Sequence, residues 1–280
     1  MSVEPRPIRR RTLLVLGASG AAGALFAPAG SPAVAGPSAI TAVCGAVVTA
    51  QSEISNRPTY YEPTGVATSF SYDSTFYSRL ETWWNFWYAN TPSAWVTPGR
   101  IWGLGAYMDR MDGCVSMHNY GRALDITRMY MTNSSSVLVK VFDGRYANWK
   151  TQTGSTLTTT RKRFWATVAS LHYHFRSVLT YMYDSAHEDH VHVDNGYSGD
   201  GNSTFATNVY PQVQHVQACL VYIWGYTTVP LDGIWSQSTA DAARAALGRI
   251  GITGWITDSQ YNWLQFNKAS LRFGTGRQTY

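Results

Sequence analysis

Two short segments, about 65 residues apart, concentrate side chains that can bind a metal ion or move a proton. The first has the sequence SMHNYGRALD and the second HEDHVH. Side chains two residues apart on a β-strand point to the same face, so His190 and His192 can face one site. His118 and Asp125 can share an ion only if the chain turns back between them, and Gly121 favours such a turn. The fold must therefore bring a tight turn and a strand together at one site.

The residue types in these segments match the requirements of a hydrolytic zinc site. Such a site uses three His or carboxylate ligands and leaves a fourth position for a water, whose pKa the metal lowers toward about 7. A nearby carboxylate must accept a proton as the water attacks, and a donor must stabilise the oxyanion that forms. Asp189, Glu188 and His190 are the candidates for these two roles.

The first 35 residues have the pattern of a cleaved export signal. A basic run at Arg9–Arg11 precedes an apolar segment from Leu13 to Phe26, and Ala33–Ala35 follows as the cleavage site. The pair Arg10-Arg11 before Thr-Leu-Leu is typical of a twin-arginine signal. The apolar run is about 14 residues, short of the ~20 that span a membrane. We therefore predict a secreted mature chain without a membrane anchor.

The net charge of +5 lies largely in this signal. Residues 1–35 hold four arginines and one acidic residue, so the remaining chain has a net charge of +2. A nearly neutral body argues against nucleic acid as the main partner, because phosphate binding needs a concentrated basic face. With 45% apolar and 14% charged residues, the chain is also unlike a disordered protein.

Hydrophobic periodicity predicts an α+β domain over residues 36–200. A helix at 75–88, capped by Ser74, carries an apolar stripe that we expect in the core, and a second helix is predicted at 160–183. Strands are predicted at 100–107, 122–131, 137–142 and 191–193. The irregular residues 36–72 suggest a short strand or helix followed by a loop.

A run rich in Gly, Ser, Asn and Asp at 195–203 is the best linker in the chain. It predicts a separate small domain over residues 206–280. Three helices are predicted there, at 213–224, 238–247 and 258–266, and a frayed tail at 273–280.

The three cysteines divide between these two domains. Cys44 and Cys114 fall in the first domain and Cys219 in the second, and export permits disulfides. The division favours a Cys44–Cys114 bond with Cys219 buried and free, although the sequence allows other pairings. No C-x-x-C pair is present, which argues against a thiolate zinc site.

The histidines outside the proposed ligand set have structural interpretations. His172 and His174 lie on a predicted helix, where residues two apart point in different directions, so they are surface or packing residues. His215 is also expected to be structural. For His187 two interpretations stay open: a partner that orients a ligand, or a turn residue.

The pattern S-x-H-x-x-G-x-A-x-D followed by D-H-x-H resembles the zinc D-alanyl-D-alanine carboxypeptidase and extensin-like branch of the peptidoglycan LAS metallopeptidases. The resemblance covers about residues 75–195. It implies a domain with an antiparallel sheet and one Zn²⁺ per chain, held by His118, Asp125 and His192. It also implies that Asp189 is the general base and that His190 stabilises the transition state.

The same resemblance implies an arginine, upstream of the first segment, that binds the terminal carboxylate of the substrate. Arg110 is the nearest match, although Arg100 and Arg122 compete for this role. Ser116 is assigned to substrate binding beside it.

The C-terminal domain resembles a type of peptidoglycan-binding domain with the patterns V-Q-x-x-L and D-G-I-x-G-x-x-T. The first pattern begins at Val216 and the second at Asp232, and Ser236 stands where the second glycine is expected. The alternative is a purely structural three-helix extension.

These observations predict a secreted, cell-wall-associated zinc peptidase that acts as a monomer. Its zinc-bound water would attack a peptide bond in peptidoglycan stem peptides or cross-bridges. A D,D-carboxypeptidase and an endopeptidase share this machinery, so the bond cleaved stays open. A second hypothesis is a non-catalytic wall-binding protein with a closed structural zinc site. A third is that the abundant aromatic residues bind polysaccharide.

Overall fold

The described part of the chain comprises residues 39–41, 44–196, 199 and 201–280 of a computed structural model. The predicted export signal, residues 1–35, lies outside these residues. No helix within them is both long enough and apolar enough to cross a membrane.

The described chain contains eleven strands and six α-helices. The first part contains β1 (Ala39–Thr41), β2 (Val47–Gln51), β3 (Glu53–Ile54), β4 (Arg57–Tyr61), β5 (Val66–Ala67), β6 (Phe70–Tyr72), α1 (Ser74–Ala89), β7 (Val96–Gly105), β8 (Ala123–Thr132) and β9 (Leu138–Asp143). The second part contains α2 (Tyr146–Trp149), α3 (Gly154–His174), β10 (Ser177–Leu179), β11 (Val191–Asp194), α4 (Tyr210–Cys219), α5 (Gln237–Arg249) and α6 (Gln260–Thr275). Short 3₁₀ turns occur at Met117–Tyr120 and Ser185–His187, and a π-helical turn, Leu220–Trp224, follows α4.

The main sheet has eight strands, with the principal order β10-β11-β8-β7-β4-β3. Strand β5 pairs with β4, and β9 pairs with β8, while β1, β2 and β6 form a separate small sheet. The predicted α+β class is confirmed. The expectation of an antiparallel sheet needs one correction, because β4 and β7 pair in parallel. The prediction for residues 36–72 was also incomplete, since six short strands occur there.

Helix α1 carries the predicted core stripe. Its N-cap is Asp73 rather than Ser74, because the Asp73 carboxylate accepts hydrogen bonds from the first turn of the helix. The apolar stripe is fully buried, as predicted, and consists of Phe76, Leu80, Trp83, Trp84 and Trp87. The indole N–H groups of Trp83 and Trp87 donate to hydroxyls on α3, so burial leaves these polar atoms paired.

Helix α3 ends nine residues before the predicted end at 183. The chain becomes extended at Phe175 and enters β10, which pairs with β11. His172 and His174 are buried near the end of this helix, so they are packing residues rather than surface residues. This early end matters because it places β10 at one edge of the sheet, beside the strand that carries His192.

The C-terminal helices pack directly against the first part of the chain. Helix α6 crosses α3 at Gly274, where a Cβ atom would lie 2.7 Å from the Cβ of Ala166. The predicted frayed tail is wrong, because the ring of Tyr280 stacks on Trp224 at 5.7 Å. The described residues of both predicted domains share one compact unit. The division into domains 36–200 and 206–280 stays a prediction.

The predicted disulfide is confirmed. Cys44, before β2, bonds to Cys114 in the loop after β7, and Cys219 is free and buried. The bond therefore ties the loop between β7 and β8 to the small sheet.

Removing this bond is expected to destabilise the protein. A Cys44→Ser, Cys114→Ser double variant should lose about 2–4 kcal/mol of unfolding free energy, because the bond closes a loop spanning 70 residues. Urea unfolding measures this loss. Reductant should destabilise the wild type to a similar degree and leave the double variant unaffected. Equal stability of the oxidised wild type and the variant would contradict the prediction.

Candidate metal centre

Three separate elements bring the predicted ligands together. His118 lies on the first 3₁₀ turn, Asp125 on β8 and His192 on β11. Because β11 pairs with β8 in antiparallel register, His192 lies directly opposite Asp125. Gly121 turns the chain from His118 back into β8 with a left-handed φ of 66°. A Cβ atom there would lie 2.5 Å from Val48, so the position requires glycine.

The three ligand atoms form a nearly equilateral triangle. His118 Nε2 lies 3.1 Å from Asp125 Oδ1 and 3.2 Å from His192 Nδ1, and the remaining side is 3.0 Å. A tetrahedral ion with bonds of about 2.0–2.1 Å separates its ligand atoms by about 3.3 Å. The triangle therefore fits one face of such a tetrahedron, and this group could hold a metal ion.

Each histidine of the triangle is held by a second contact. His118 Nδ1 lies 2.6 Å from the carbonyl oxygen of Ala106, and His192 Nε2 lies 3.2 Å from Asp194 Oδ2. Acceptors at these positions orient the rings and leave the other ring nitrogen available for a metal. Sequence reasoning missed Asp194. The signal was present, because Asp194 follows His192 by two residues on the same strand.

The charges of the triangle favour an ionised carboxylate. Burial would raise the pKa of Asp125, but hydrogen bonds from His118 and His192 hold that pKa well below its usual range. Burial would likewise lower the pKa of His192, but its bonds to Asp125 and Asp194 outweigh burial and raise that pKa to about 9. In the metal-free protein, His192 is therefore protonated at neutral pH.

Metal binding at pH 7 is expected to release a proton from His192. A metal needs the neutral ring, whereas the metal-free ring titrates at about 9, so apparent affinity should rise with pH up to that value. Calorimetric titration with zinc, in buffers of different ionisation enthalpy, counts the protons released.

Asp194→Asn provides a matched control for this prediction. The amide keeps an acceptor oxygen for His192 but removes one of the two charges, those of Asp125 and Asp194, that raise the pKa of His192. The variant should therefore release a smaller fraction of a proton at pH 7. Identical proton release by the two proteins would show that Asp194 does not control this titration.

An open cleft of about 670 Å³ lies over the triangle. Five of the seven predicted site residues line it, namely Arg110, Ser116, His118, His190 and His192, whereas Asp125 and Asp189 do not. Other lining residues were not predicted, among them Leu179 and Ala186. Both residues are apolar and lie between the two polar segments in the sequence, so no sequence pattern indicates that they line the cleft.

The three candidates for proton transfer and oxyanion stabilisation occupy different positions around the triangle. His190 reaches toward the triangle, with its Nε2 3.5 Å from Asp125 Oδ1, and its Nδ1 lies 2.7 Å from Asp189 Oδ1. Asp189 is 55% exposed and does not line the cleft. Glu188 pairs instead with Lys150 at 2.9 Å and also lies outside the lining. The ring of His190 thus stands between Asp189 and the ligand group.

Only one of the three candidate arginines lines the cleft. Arg110 is 45% exposed, and its guanidinium lies 3.6 Å from Asp125 Oδ2. The guanidinium of Arg122 donates to Asn195, while Arg100 lies over the ring of Tyr60. The geometry therefore favours Arg110 for contact with a ligand in the cleft.

The loop that carries Arg110 is fixed by a buried residue that sequence reasoning passed over. Asn119 accepts a hydrogen bond from the backbone N–H of Arg110 at 2.7 Å and donates to Asp112. Ser116 accepts from the N–H of His118 and so caps the 3₁₀ turn as well as lining the cleft. The position of Asn119 next to His118, a predicted ligand, could have indicated from the sequence that it belongs to the site.

The other histidines separate into two groups. His187 lines the cleft, but its Nδ1 lies 2.6 Å from Asp184 and makes no hydrogen bond to the triangle. His215 is buried on α4, where its ring stacks on His172 at 4.3 Å. The structural interpretation of His215 is confirmed.

Comparison with protein families gives one match. Residues 105–203 match the family model described as the extensin-like protein C-terminus. This range contains both segments from which the site was predicted, and it supports the extensin-like part of the resemblance. Comparison with curated proteins and with solved structures gives no significant match.

Proposed function

We propose that this chain is a secreted zinc peptidase that hydrolyses peptide bonds in bacterial peptidoglycan, with D,D-carboxypeptidase-like activity. One observation carries the proposal: three ligand atoms, spaced for one face of a zinc tetrahedron, lie at the base of an open cleft. A zinc site with three protein ligands and an accessible fourth position is typical of catalysis, whereas structural sites are closed by a fourth protein ligand.

His118, Asp125 and His192 would hold the ion in this function. Bound Zn²⁺ would supply a Lewis acid that polarises a carbonyl group and lowers the pKa of a water. The backbone of Ala106 and the carboxylate of Asp194 keep the two imidazoles in their ligating orientation. A rigid donor set reduces the reorganisation that the reaction requires.

Asp189 and His190 supply the proton transfers in this proposal. Because the ring of His190 stands between Asp189 and the ligand group, the proton of the attacking water would reach Asp189 through that ring, and His190 Nε2, then protonated, would donate a hydrogen bond to the negative charge that develops on the carbonyl oxygen. Support comes from the contact between Asp189 Oδ1 and His190 Nδ1, which directs the opposite ring nitrogen toward the ligand group. The two residues therefore work as a coupled pair.

Arg110 and Ser116 would bind the substrate. A guanidinium is a strong partner for a carboxylate, and Arg110 is the arginine that lines the cleft. Asn119 fixes the backbone beneath Arg110, so the charge is held close to the ligand group. Recognition of a terminal carboxylate at this point would favour carboxypeptidase over endopeptidase activity.

The C-terminal helices are assigned to wall binding in the same proposal. Their resemblance to a peptidoglycan-binding domain supports this role. Two hydrogen bonds also join the two sequence patterns, because Gln217 donates to Asp232 and accepts from the N–H of Gly233. The enzyme would then act while retained on its polymeric substrate.

Digestion of purified peptidoglycan tests the proposal. The mature protein, residues 36–280, is incubated with and without chelator, and released fragments are identified by mass spectrometry. Chelator-sensitive release of D-alanine supports a carboxypeptidase, and new amino termini in stem peptides or cross-bridges support an endopeptidase. No release by zinc-loaded protein, together with retention on the wall, would replace the proposal with a non-catalytic binding protein.

A further inference from the structure

The loop that carries Arg110 contributes little to the core. Residues 106–116 connect β7 to the first 3₁₀ turn, and we call them the Arg110 loop. From residue 109 to residue 115, every residue is exposed except Cys114, which is half-buried. Met111 and Val115, the apolar residues of this stretch, are 91% and 78% exposed. Burial of apolar surface therefore does not hold this part of the loop in place.

Two residues of the Arg110 loop have backbone conformations that L-amino acids rarely adopt. The φ angle is 51° at Met111 and 67° at Cys114, both in the left-handed region. Such conformations persist only where the surrounding structure over-determines them. The loop must therefore be held by specific contacts rather than by its own backbone preferences.

Three contacts supply this hold. Asn119 accepts a hydrogen bond from the backbone N–H of Arg110 at 2.7 Å, and the hydroxyl of Tyr120 donates to the carbonyl oxygen of Cys114 at 3.1 Å. The third contact is the disulfide from Cys114 to Cys44. The two hydrogen bonds come from the turn that directly follows the loop, whereas the disulfide is covalent and reaches the small sheet.

The metal ligands are held by contacts that do not pass through the disulfide. Gly121, in the turn after His118, packs closely against Val48 of β2. The other two ligands, Asp125 and His192, lie opposite each other on paired strands of the main sheet. Loss of the disulfide is therefore expected to release the Arg110 loop and to leave the three ligand atoms in place.

Opening the bond is a balanced exchange with a dithiol. One thiolate of the reductant attacks one sulfur atom of the bond, and the second thiol then releases the protein as two cysteine thiols. The reductant leaves as a disulfide, so two electrons and two protons pass from it to the protein. Cys44 and Cys114 are both half-buried, and the residues around Cys114 are exposed, so a small dithiol can reach the bond.

We propose that the Cys44–Cys114 disulfide is a redox-sensitive tether that positions Arg110 over the metal cleft. In the tethered loop the guanidinium lies 3.6 Å from Asp125 Oδ2, beside the ligand group. Reduction releases the loop, so binding of a substrate carboxylate weakens while zinc is retained. Cys114 is thus a positioning residue. The inference rests on the proposed function and deepens it, because it names a regulation of the same site.

Trypsin digestion tests release of the loop without relying on peptidase activity. A Cys44→Ser, Cys114→Ser double variant should be cut after Arg110 about tenfold faster than the oxidised wild type, because the tethered conformation no longer protects this bond. Mass spectrometry identifies the cut. Lys150, 42% exposed at the end of α2, is the internal control, since a general loss of stability would raise cutting at both sites. Reductant should reproduce the effect in the wild type, and reoxidation should reverse it.

Kinetics connects the tether with Arg110. With acetylated D-alanyl-D-alanine, the double serine variant should show a KM raised about tenfold, with kcat nearly unchanged and one zinc ion per chain. In an Arg110→Ala background the same serine substitutions should leave KM unchanged, because the group that the tether positions is missing. The serine variant needs no reductant, so no added thiol competes for zinc.

The two measurements separate this inference from the peptidase proposal. If neither protein hydrolyses the peptide but the serine variant is cut faster after Arg110 alone, the tether stands and the peptidase proposal fails. The tether is wrong if cutting after Arg110 is equally fast in both proteins, or rises only together with cutting after Lys150. It is also wrong if the serine substitutions raise KM equally with and without Arg110.

Discussion

His118→Ala is expected to abolish zinc binding and hydrolysis together. The substitution leaves two donors, from Asp125 and His192, where the geometry otherwise provides three. Loss of the metal removes several kcal/mol of charge stabilisation, which corresponds to a fall in activity on the order of 10³-fold or more. Zinc content after dialysis should fall from one ion per chain to none, and His192→Ala should behave in the same way.

A neighbouring histidine supplies the control for this prediction. His187 lines the same cleft, but its hydrogen bond is to Asp184 and it does not belong to the ligand group. His187→Ala should therefore retain one zinc ion. Circular dichroism of each variant excludes loss of fold as the cause. Retention of a full zinc equivalent by His118→Ala would show that the triangle is not the metal site.

The sequence predicted the parts of the fold in which local pattern and burial agree. The Trp83, Trp84 and Trp87 stripe has helical spacing, and one face of α1 is buried. Strands β8 and β11 were also predicted, because apolar runs between turn residues are typical of a sheet interior. These are the elements that carry Asp125 and His192.

The remaining parts of the fold depend on contacts between distant residues. The strands of residues 39–72 are two to five residues long, too short for a periodic signal to emerge. The apolar pattern of α3 continues through Val178 and Leu179, so only pairing with β11 shows that these residues form a strand. Tyr280 is likewise held by its contact with Trp224. No local sequence pattern predicts this contact.

The sequence predicted which residues form the candidate site more completely than it predicted how their side chains are oriented. His118, Asp125 and His192 could be proposed because side-chain type and strand period restrict metal ligands strongly. The orientation of the Asp189 side chain could not be predicted. Asp189 lies in a turn before β11, and side chains in a turn do not follow a fixed period. Asp194 was missed for a different reason: a partner that holds a ligand needs only one acceptor oxygen, which many residues provide.

Asp189→Ala is expected to retain zinc and to lose turnover by about 10²–10⁴-fold, the range for loss of general base catalysis. Asp189 contacts none of the three ligand atoms; its Oδ1 contacts His190 Nδ1. Zinc content and the rate of peptidoglycan hydrolysis are measured on the same preparation. Glu188→Gln is the matched control, because Glu188 pairs with Lys150 outside the cleft, and its activity should stay near that of the wild type.

Asp189→Asn distinguishes a base from a residue that only positions His190. The amide oxygen can still accept a hydrogen bond from His190 Nδ1, so the ring keeps its direction, but the amide cannot take a proton. If Asp189 is the base, Asp189→Asn loses as much activity as Asp189→Ala. Activity above about a tenth of the wild type in Asp189→Asn would assign proton transfer to His190 itself. Near-normal turnover in Asp189→Ala, with loss in Glu188→Gln, would move the base to Glu188.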